Sequence, residues 1–292
     1  MKAKNSVPVS VLILTCNEEK NLPACLDAIS WCDDIVVLDS YSSDRTVETA
    51  RKSGARVYQR AFDTFAGQRN FGLESISFRH QWVFHLDADE IFTEELRMEV
   101  LSATEKTSFD AFHVPSKMMF QGKWLRFSGM YPAYQVRLTR VGQFTFKQIG
   151  HGQKEDIEQS RIGTLREPYL HYSFSKGMTD WFERHNRYSS MEAEETLRSL
   201  ETNSSDWKGL FSAARPRRRQ ALKQLSFRLP FRPLMRFIYM YFLRLGFLDG
   251  HAGFVYSRLL SIYEYMIVLK TKEIKTMTVT YHKNTPSEKE AE

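Results

Sequence analysis

The first third of the chain alternates between short apolar runs and stretches with helical spacing, which leaves few possible folds. The apolar runs have strand length and are nearly continuous, and they cover Val9–Leu14, Ile35–Leu38, Ala55–Tyr58 and Trp82–Leu86. Helical candidates follow them at Asn21–Ile29, from the capping residues Ser43–Thr46 to Lys52, at Thr64–Glu74 and at Thr93–Leu101. Strands that are apolar along their whole length are typical of a parallel sheet buried on both faces. The pattern predicts an α/β fold with a mostly parallel sheet and helices on both faces.

Polar residues follow three of these strands at the point where each strand ends. Thr15–Glu18 follows the first strand, Asp39–Asp44 the second and Asp87–Glu90 the fourth. Ligands of open α/β sheets bind beyond the carboxyl ends of the strands. We therefore expect the three clusters to meet at one edge of the sheet and to form a nucleotide site.

The acidic stretch HLDADE places Asp87 and Asp89 two residues apart after the fourth strand. Bringing two carboxylates together raises the electrostatic energy unless a cation lies between them. Mg²⁺ and Mn²⁺ are hard cations that bind few carboxylates and fill their remaining positions with ligand phosphates. The sequence therefore predicts a Mg²⁺ or Mn²⁺ site that joins this Asp-x-Asp motif to a diphosphate.

Two ordered sets of motifs resemble known glycosyltransferases. The donor-binding half of family 2 glycosyltransferases of the GT-A fold is similar to VSVLILTCNEEKNL, DDIVVLDSYSSDRTVETA, FAGQRNFGLE and WVFHLDADE. Bacterial lipopolysaccharide-core β-glucosyltransferases and related surface-polysaccharide enzymes are similar to RFSGMYPAYQVRLTR, GHGQKE, LHYSF and LGFLDGHAGF. The resemblance implies a Rossmann-like GT-A domain and an inverting, metal-dependent hexosyltransferase. It also implies a UDP-hexose donor, with UDP-glucose favoured, a lipopolysaccharide-core or other lipid-linked glycan acceptor, and a β-linked product.

The resemblance also assigns donor-site residues. It implies a nucleotide-sugar site made of Thr15, Asn17, Glu18, Asp39, Ser42, Gln68, Asn70 and Asp87. Asp39 matches the aspartate that accepts a hydrogen bond from the base, and a carboxylate acceptor suits the imide N–H of uracil. Asp89 is the first choice for the metal, with Asp87 as a second ligand or nearer the ribose or sugar.

An inverting transfer needs a base that removes the proton of the acceptor hydroxyl. The resemblance assigns this role to Glu155 in GHGQKE, with Asp156 as the second choice, because relatives more often carry adjacent His and Glu. The alternative is that both are solvated loop charges. His151, Arg126, Arg137 and Asp249 are further candidates for contact with diphosphate or acceptor, with surface charge or a turn as the equally simple explanation.

The C-terminal part differs in composition from the rest. Arg215–Arg236 carries eight Arg or Lys and no Asp or Glu, and the aromatic run Phe237–Phe242 follows it. Basic side chains attract anionic lipid headgroups and aromatic side chains enter the acyl boundary, so the segment predicts peripheral binding to a membrane surface. A solvated basic face over ordinary core helices is the alternative. We expect a GT-A domain over 1–200, a helical membrane- and acceptor-binding region over 201–275, and a polar tail over 276–292.

Location and partners follow from what the sequence lacks. It contains no run of 18 uncharged apolar residues, and its three cysteines form no Cys-x-x-Cys pair. We therefore expect reduced thiols and a peripheral position at the cytoplasmic face of the inner membrane. The net charge of +6 also suits nucleic acid, but no helix-turn-helix, zinc or RNA-binding signature accompanies it.

Other functions fit the motifs less well. An Asp-x-Asp phosphatase carries its motif after the first strand, whereas three strands precede the motif here. A dinucleotide oxidoreductase would show Gly-x-Gly-x-x-Gly after its first strand, which is missing. A non-catalytic nucleotide-sugar-binding membrane partner remains an alternative, as does a transferase with a different donor in O-antigen or exopolysaccharide synthesis.

Overall fold

Four parallel strands form one half of a ten-stranded sheet in the computed structural model. The structure describes residues 7–105, 107–149, 152–202 and 231–284, together with residues 209, 211, 212, 214, 217, 218, 221, 222, 225 and 227. The four strands lie in the order β3-β2-β1-β4 and cover β1 Val9–Thr15, β2 Ile35–Asp39, β3 Arg56–Gln59 and β4 Trp82–Asp87. The helices are α1 Leu22–Ala28, α2 Thr46–Lys52, α3 Phe65–Ser75 and α4 Glu94–Glu105. The predicted alternation of strands and helices is confirmed, and Thr15, Asp39 and Asp87 end their strands at the same edge.

The other half of the sheet is largely antiparallel, so the sheet is mixed rather than mostly parallel as predicted. β8 pairs antiparallel with both β4 and β6, and the order continues β4-β8-β6-β12-β5. The strands of this half are β5 Glu90–Ile91, β6 Ala111–Phe120, β7 Lys123–Trp124, β8 Ala133–Arg140, β11 Ile162–Thr164 and β12 Tyr169–His171. β9 Phe146–Ile149 and β10 Gly152–Glu155 form a separate antiparallel hairpin. A tight turn at Gly122, which has a positive φ, joins β6 to its antiparallel neighbour β7.

The core lies on both faces of the parallel strands. Val9, Val11 and Ile13 of β1 belong to one apolar cluster, whereas Leu12 between them belongs to the other. Each of these four side chains is fully buried. Burial on both faces explains why the strands are almost wholly apolar, and it leaves their polar ends as the places where chemistry can occur.

The helix α3 lies unusually close to the sheet. Thr64 caps its first turn, because the Thr64 hydroxyl accepts a hydrogen bond from the Gly67 N–H at 2.9 Å. At Gly72, a Cβ atom would lie 2.6 Å from Cδ2 of Leu12 in β1. The absence of a side chain at Gly72 therefore lets α3 approach β1 and brings its polar residues near the sheet edge.

The chain divides into two compact units, Met1–Trp181 and Phe182–Glu292. The helices at and beyond the boundary are α5 Met178–Thr202, α6 Arg232–Ile238 and α7 Gly250–Asn284. A π-helical turn at Tyr239–Leu243 and a 3₁₀ turn at Gly246–Asp249 lie between α6 and α7. No helix in the described ranges is both long and apolar enough to cross a bilayer.

The polar tail predicted from residue 276 is helical as far as Asn284. No Gly or Pro occurs between Phe254 and Thr285, and Pro286 is the first residue that cannot continue the helix. Polarity therefore did not mark the end of the helix, because no helix-breaking residue occurs between Phe254 and Pro286.

Asp34 holds together the edge of the sheet opposite the polar clusters. Its buried carboxylate accepts hydrogen bonds from Ser10 Oγ at 2.5 Å, from the Arg79 N–H at 2.8 Å and from Arg56 Nη2 at 2.8 Å. Burial alone raises the pKa of Asp34, but the bonds from Arg79, Ser10 and Arg56 outweigh it and hold the pKa below its ordinary value. The ionised form of Asp34 is therefore bound more strongly in the folded state than in the unfolded state.

We expect Asp34→Ala to lower the free energy of unfolding by about 3 kcal/mol at pH 7, because it leaves Arg56 and two further donors unpaired. Urea denaturation measures this loss. Since the folded-state pKa lies below the unfolded value, the difference from the native protein is complete above about pH 4 and shrinks as the pH falls through the folded-state pKa. Asp33→Ala is the control, because the Asp33 side chain is half exposed and pairs with His80, while its carbonyl accepts a bond from Arg79. A loss at Asp33 equal to that at Asp34 would contradict this role.

Candidate active site

The loops after β1 and β2 are joined around Asp39. The buried Asp39 carboxylate accepts hydrogen bonds from the Thr15 hydroxyl at 2.9 Å, from the Ser42 hydroxyl at 2.5 Å and from the Ser42 N–H at 2.8 Å. Gln59 Nε2 is a more distant donor at 3.2 Å. The structure thus brings together three of the predicted donor-site residues, Thr15, Asp39 and Ser42.

Asn17 and Glu18, in the loop after β1, form further hydrogen bonds at this edge of the sheet. Asn17 has a φ of 55°, and its side-chain oxygen accepts a hydrogen bond from the Ser43 N–H at 2.8 Å. Glu18 Oε1 accepts one from Lys176 Nζ at 2.5 Å, although burial raises the pKa of Glu18. Lys176 also donates to the Cys16 carbonyl at 3.3 Å. Lys176 was not predicted, and it ties the segment after β12 to the loop after β1.

Three consecutive residues of α3 reach three different parts of the site. Gln68 donates to Ser40 Oγ at 3.2 Å, Arg69 Nη2 donates to Asp87 Oδ1 at 2.8 Å, and the Asn70 amide exchanges two bonds of 2.8 Å with the backbone of Phe146. Successive helical residues point about 100° apart, which allows one turn to serve three neighbours. Gln68 Oε1 is buried and has no hydrogen-bond partner within the described ranges. It is therefore an acceptor that a ligand can use, whereas the polar groups of Asn70 are occupied by the β9 backbone.

Two buried arginines form ion pairs with the acidic residues of HLDADE. Asp87 Oδ1 pairs with Arg69, and Asp87 Oδ2 pairs with Arg137 Nη2 at 2.9 Å. Arg137 Nη2 also lies 2.5 Å from Glu90 Oε1, and Glu90 Oε2 accepts the Asp87 N–H at 2.9 Å. Burial alone raises the pKa of Asp87, but Arg137 and Arg69 hold it well below its ordinary value. Burial raises the pKa of Glu90 against the pull of Arg137.

Asp89 differs from its two acidic neighbours. No arginine or lysine in the described part of the chain pairs with its carboxylate, and His171 Nε2 lies 3.5 Å from its Oδ2. The antiparallel pairing of β12 with β5 places His171 opposite Glu90, and the Tyr172 N–H donates to the Asp89 carbonyl at 2.8 Å. Burial lowers the pKa of His171, but the hydrogen bond and charge of Asp89 raise it overall.

Only part of the acidic cluster offers ligand atoms to a divalent cation. The oxygens of Asp87 and Glu90 are taken by Arg69, Arg137 and the backbone, whereas Asp89 and His171 present facing ligand atoms. No group of three or more metal-ligating side chains occurs among the described residues. Two protein ligands suit Mg²⁺ or Mn²⁺ when phosphate oxygens and water complete the coordination.

A cavity of about 460 Å³ connects the acidic cluster to the predicted base. Its walls include Arg69, Asp87, His113, Tyr134, Arg137, Lys154, Glu155 and His171. Glu155 accepts a hydrogen bond from Gln159 Nε2 at 3.1 Å, whereas Asp156 pairs with Lys147 at 2.8 Å and does not line the cavity. The structure therefore brings Glu155, but not Asp156, to the same space as Asp87.

Among the remaining candidates, Arg137 contributes to the cavity wall. The Arg126 guanidinium packs over Trp124 at 5.7 Å and is not part of the cavity wall. Arg137 is almost fully buried and binds Asp87 and Glu90. Asp249 belongs to the second unit, where it ends the 3₁₀ turn before α7. His151 lies outside the described residues.

The comparison with protein families decides the class of this site. The sequence pattern of Glycosyl transferase family 2 matches residues 10–168, more than half of the chain, and includes every residue of the acidic cluster and Glu155. The chain belongs to glycosyl transferase family 2. The matched region lies entirely within the first unit of this glycosyltransferase, Met1–Trp181, which also contains the cavity.

Relatives extend the similarity over most of this glycosyltransferase. It is 24% identical over 272 residues to the lipopolysaccharide core biosynthesis glycosyltransferase LpsC of Rhizobium meliloti, covering 90% of this chain and 92% of LpsC. It is 24% identical over 278 residues to an uncharacterized glycosyltransferase of Rickettsia typhi, covering 91% of this chain and 87% of that protein. Among solved structures, S. aureus TarS 1-349 is 16% identical and superposes with a TM-score of 0.42, covering 88% of this chain and 90% of TarS 1-349.

The sequence did not predict that Arg69, His171 and Lys176 each pair with an acidic residue of the site. Arg69 had a detectable signal, because it is a cation between two predicted site residues in FAGQRNFGLE. The partners of His171 and Lys176 were not predictable, because the long-range pairing of β12 with β5 brings this segment to the site.

We expect Arg137→Met to lower the free energy of unfolding by about 3 to 5 kcal/mol, because it leaves Asp87 and Glu90 buried with fewer compensating charges. Arg166→Met is the control, since the Arg166 side chain is exposed. Urea denaturation of both variants measures the effect. If Arg137→Met stays within about 1 kcal/mol of the native protein, the ion cluster does not have the stabilising role assigned here.

Proposed function

We propose that the enzyme is an inverting glycosyltransferase that moves a hexose, with UDP-glucose as the favoured donor, to a lipopolysaccharide-core or other lipid-linked glycan at the cytoplasmic face of the inner membrane. The observation that carries this proposal is the cavity in which Asp87, Arg69 and His171 share walls with Glu155. It offers a charged side for a diphosphate and a carboxylate for an acceptor hydroxyl. The similarity to LpsC along 90% of the chain supports the acceptor class.

The donor nucleotide binds, in this proposal, beyond the ends of β1 and β2. Asp39 accepts the imide N–H of uracil in place of its weakest donor, the exposed Gln59 at 3.2 Å. The free Gln68 Oε1 offers a second acceptor nearby, since Gln68 and Asp39 both contact the loop after β2. Two acceptors suit a ligand that presents N–H or O–H groups, as a uridine does.

Asp89 and His171 are the residues that would hold Mg²⁺ or Mn²⁺. The ion, when bound, neutralises negative charge on the departing diphosphate. Arg69 and Arg137 keep Asp87 ionised and fix its orientation beside Asp89, so the arrangement exists before the donor arrives. Such preorganisation avoids a reorganisation cost during the reaction.

Glu155 acts as the general base. It takes the proton from the acceptor hydroxyl as the oxygen bonds to the anomeric carbon and the bond to the diphosphate breaks. Attack from the side opposite the leaving group inverts an α-linked donor to a β-linked product. The salt bridge of Asp156 with Lys147 keeps that neighbouring carboxylate away from this role.

UDP-glucose with Mn²⁺ should raise the melting temperature of the native enzyme by a few degrees, since a ligand at about 100 times its Kd adds about 2.7 kcal/mol. Asp89→Ala should abolish the metal-dependent part of this shift, whereas Glu95→Ala on the exposed face of α4 should retain it. Differential scanning fluorimetry with UDP-, GDP- and dTDP-glucose measures both effects. A shift that is equal with and without Mn²⁺ would exclude the proposed metal role, and a larger shift with GDP- or dTDP-glucose would exclude UDP.

Glu155→Gln should lower kcat by at least about 100-fold while the thermal shift with UDP-glucose and Mn²⁺ persists. Asp156→Asn, the adjacent control, should change kcat by only a few-fold. UDP release from UDP-glucose, with lipopolysaccharide core oligosaccharide as acceptor, measures turnover. Retained turnover in Glu155→Gln, or an equal loss in Asp156→Asn, would assign the base elsewhere. Donor binding by the native enzyme without turnover of any glycan acceptor would favour a non-catalytic binding partner.

A further inference from the structure

The second unit exposes a continuous apolar segment at the turn between α6 and α7. Five large apolar side chains within residues 242–248 are exposed: Phe242 54%, Leu243 71%, Leu245 43%, Phe247 43% and Leu248 56%. We call residues 242–248 the apolar tip. Soluble proteins rarely expose so many neighbouring large apolar residues unless the surface binds a partner.

The apolar tip is held in place by an ordered scaffold. The Phe237 and Tyr241 rings stack with centroids 5.3 Å apart, and Tyr241 packs against Phe254 of α7 at 5.6 Å. A Cβ on Gly253 would lie 2.1 Å from the Gly246 carbonyl oxygen, so the tip and α7 approach each other as closely as backbones allow. The exposure therefore belongs to the folded conformation of this unit.

Leu245 adds a second indication that the tip is a binding surface. Its φ is 60°, a left-handed conformation in which Gly or Asn is the ordinary residue. The chain instead carries a leucine whose side chain is partly exposed, so the apolar side chain contributes little to the core of this unit. A non-glycine residue in the left-handed conformation stores backbone strain, and such strain is typical of functional sites.

The charge of the sequence that leads to the tip favours an anionic partner. Residues 207–248 contain ten Arg or Lys and no Asp or Glu. Arg232 is neutralised by Glu264 of α7, but Arg244 lies within the tip, and its buried Nε has no hydrogen-bond partner in the part of the chain that the structure describes. A cation among exposed Leu and Phe side chains matches a bilayer interface, where phosphates lie just outside the acyl chains.

We propose that the apolar tip inserts into the interfacial layer of an anionic bilayer, with Arg244 at the level of the lipid phosphates. This inference deepens the membrane location in the proposed function and rests on it for its purpose, which is to keep the enzyme beside a lipid-linked acceptor. The binding itself requires neither donor nor acceptor, so it is measured independently of sugar transfer.

The test is co-sedimentation of the full-length protein with vesicles of phosphatidylcholine alone or of phosphatidylcholine with phosphatidylglycerol at about 3:1. Leu243→Ser/Leu248→Ser removes two apolar side chains that would enter the acyl boundary, so it should lower the vesicle partition coefficient at least about tenfold. Arg244→Gln should lower it about fivefold on anionic vesicles and leave it unchanged on neutral ones. Leu269→Ser and Met98→Ser remove apolar residues of similar exposure outside the tip and should bind as the native protein does.

Three outcomes would overturn the inference: native protein that does not sediment with anionic vesicles, a double variant that sediments as well as the native protein, or a native dimer in solution that the double variant abolishes. The last outcome would assign the tip to a second copy of the chain. The thermal shift with UDP-glucose and Mn²⁺ separates this inference from the proposed function. A double variant that keeps the shift but loses vesicle binding supports the tip, and a native protein that binds vesicles but shows no shift refutes the donor assignment alone.

Discussion

The ion cluster of Asp87 and Glu90 with Arg69 and Arg137 determines how the whole active site is built. Removing these groups from water costs several kcal/mol for each ion, and that cost is recovered only when every charge is paired. Arg69 comes from α3, Arg137 from β8 and the two carboxylates from the end of β4 and from β5. The cluster therefore joins the parallel half of the sheet to the antiparallel half at the edge where the ligand site lies.

The carboxylates of the acidic stretch outnumber the two arginines that bind them. Asp87, Asp89 and Glu90 contribute three carboxylates, and among the described residues Arg69 and Arg137 are the arginines that pair with them, both at Asp87 or Glu90. Two of the carboxylates are occupied by the arginines, and Asp89 is left facing His171. A site with one carboxylate that no arginine binds, beside an imidazole, suits a cation that arrives with its own phosphate ligands. The same three acidic residues thus divide into a structural pair and one residue available for a ligand.

The sequence predicted what depends on local pattern and missed what depends on long-range pairing. The strand ends at Thr15, Asp39 and Asp87 were predictable because apolar runs and the polar residues after them are adjacent in sequence. The mixed character of the sheet was not, because β8 inserts between β4 and β6 although many residues separate them along the chain. The contact of His171 with Asp89 depends on the register of β12 with β5 and was missed for the same reason. The resemblance to known enzymes supplied Glu155, which no local pattern distinguishes from Asp156.

One turn of α3 links the donor and acceptor sides of the proposed reaction. Gln68 contacts the loop beside Asp39, Arg69 binds Asp87, and Asn70 fixes the backbone of Phe146 at the start of the hairpin that carries Glu155. The position of the proposed base is therefore tied, through three adjacent residues, to the group that orients the acidic cluster. Glu155 and Asp87 line one cavity because a single helix holds both sides, and Gly72 in that helix allows it to lie against β1. A displacement of α3 would separate the base from the donor site even if every catalytic side chain were intact.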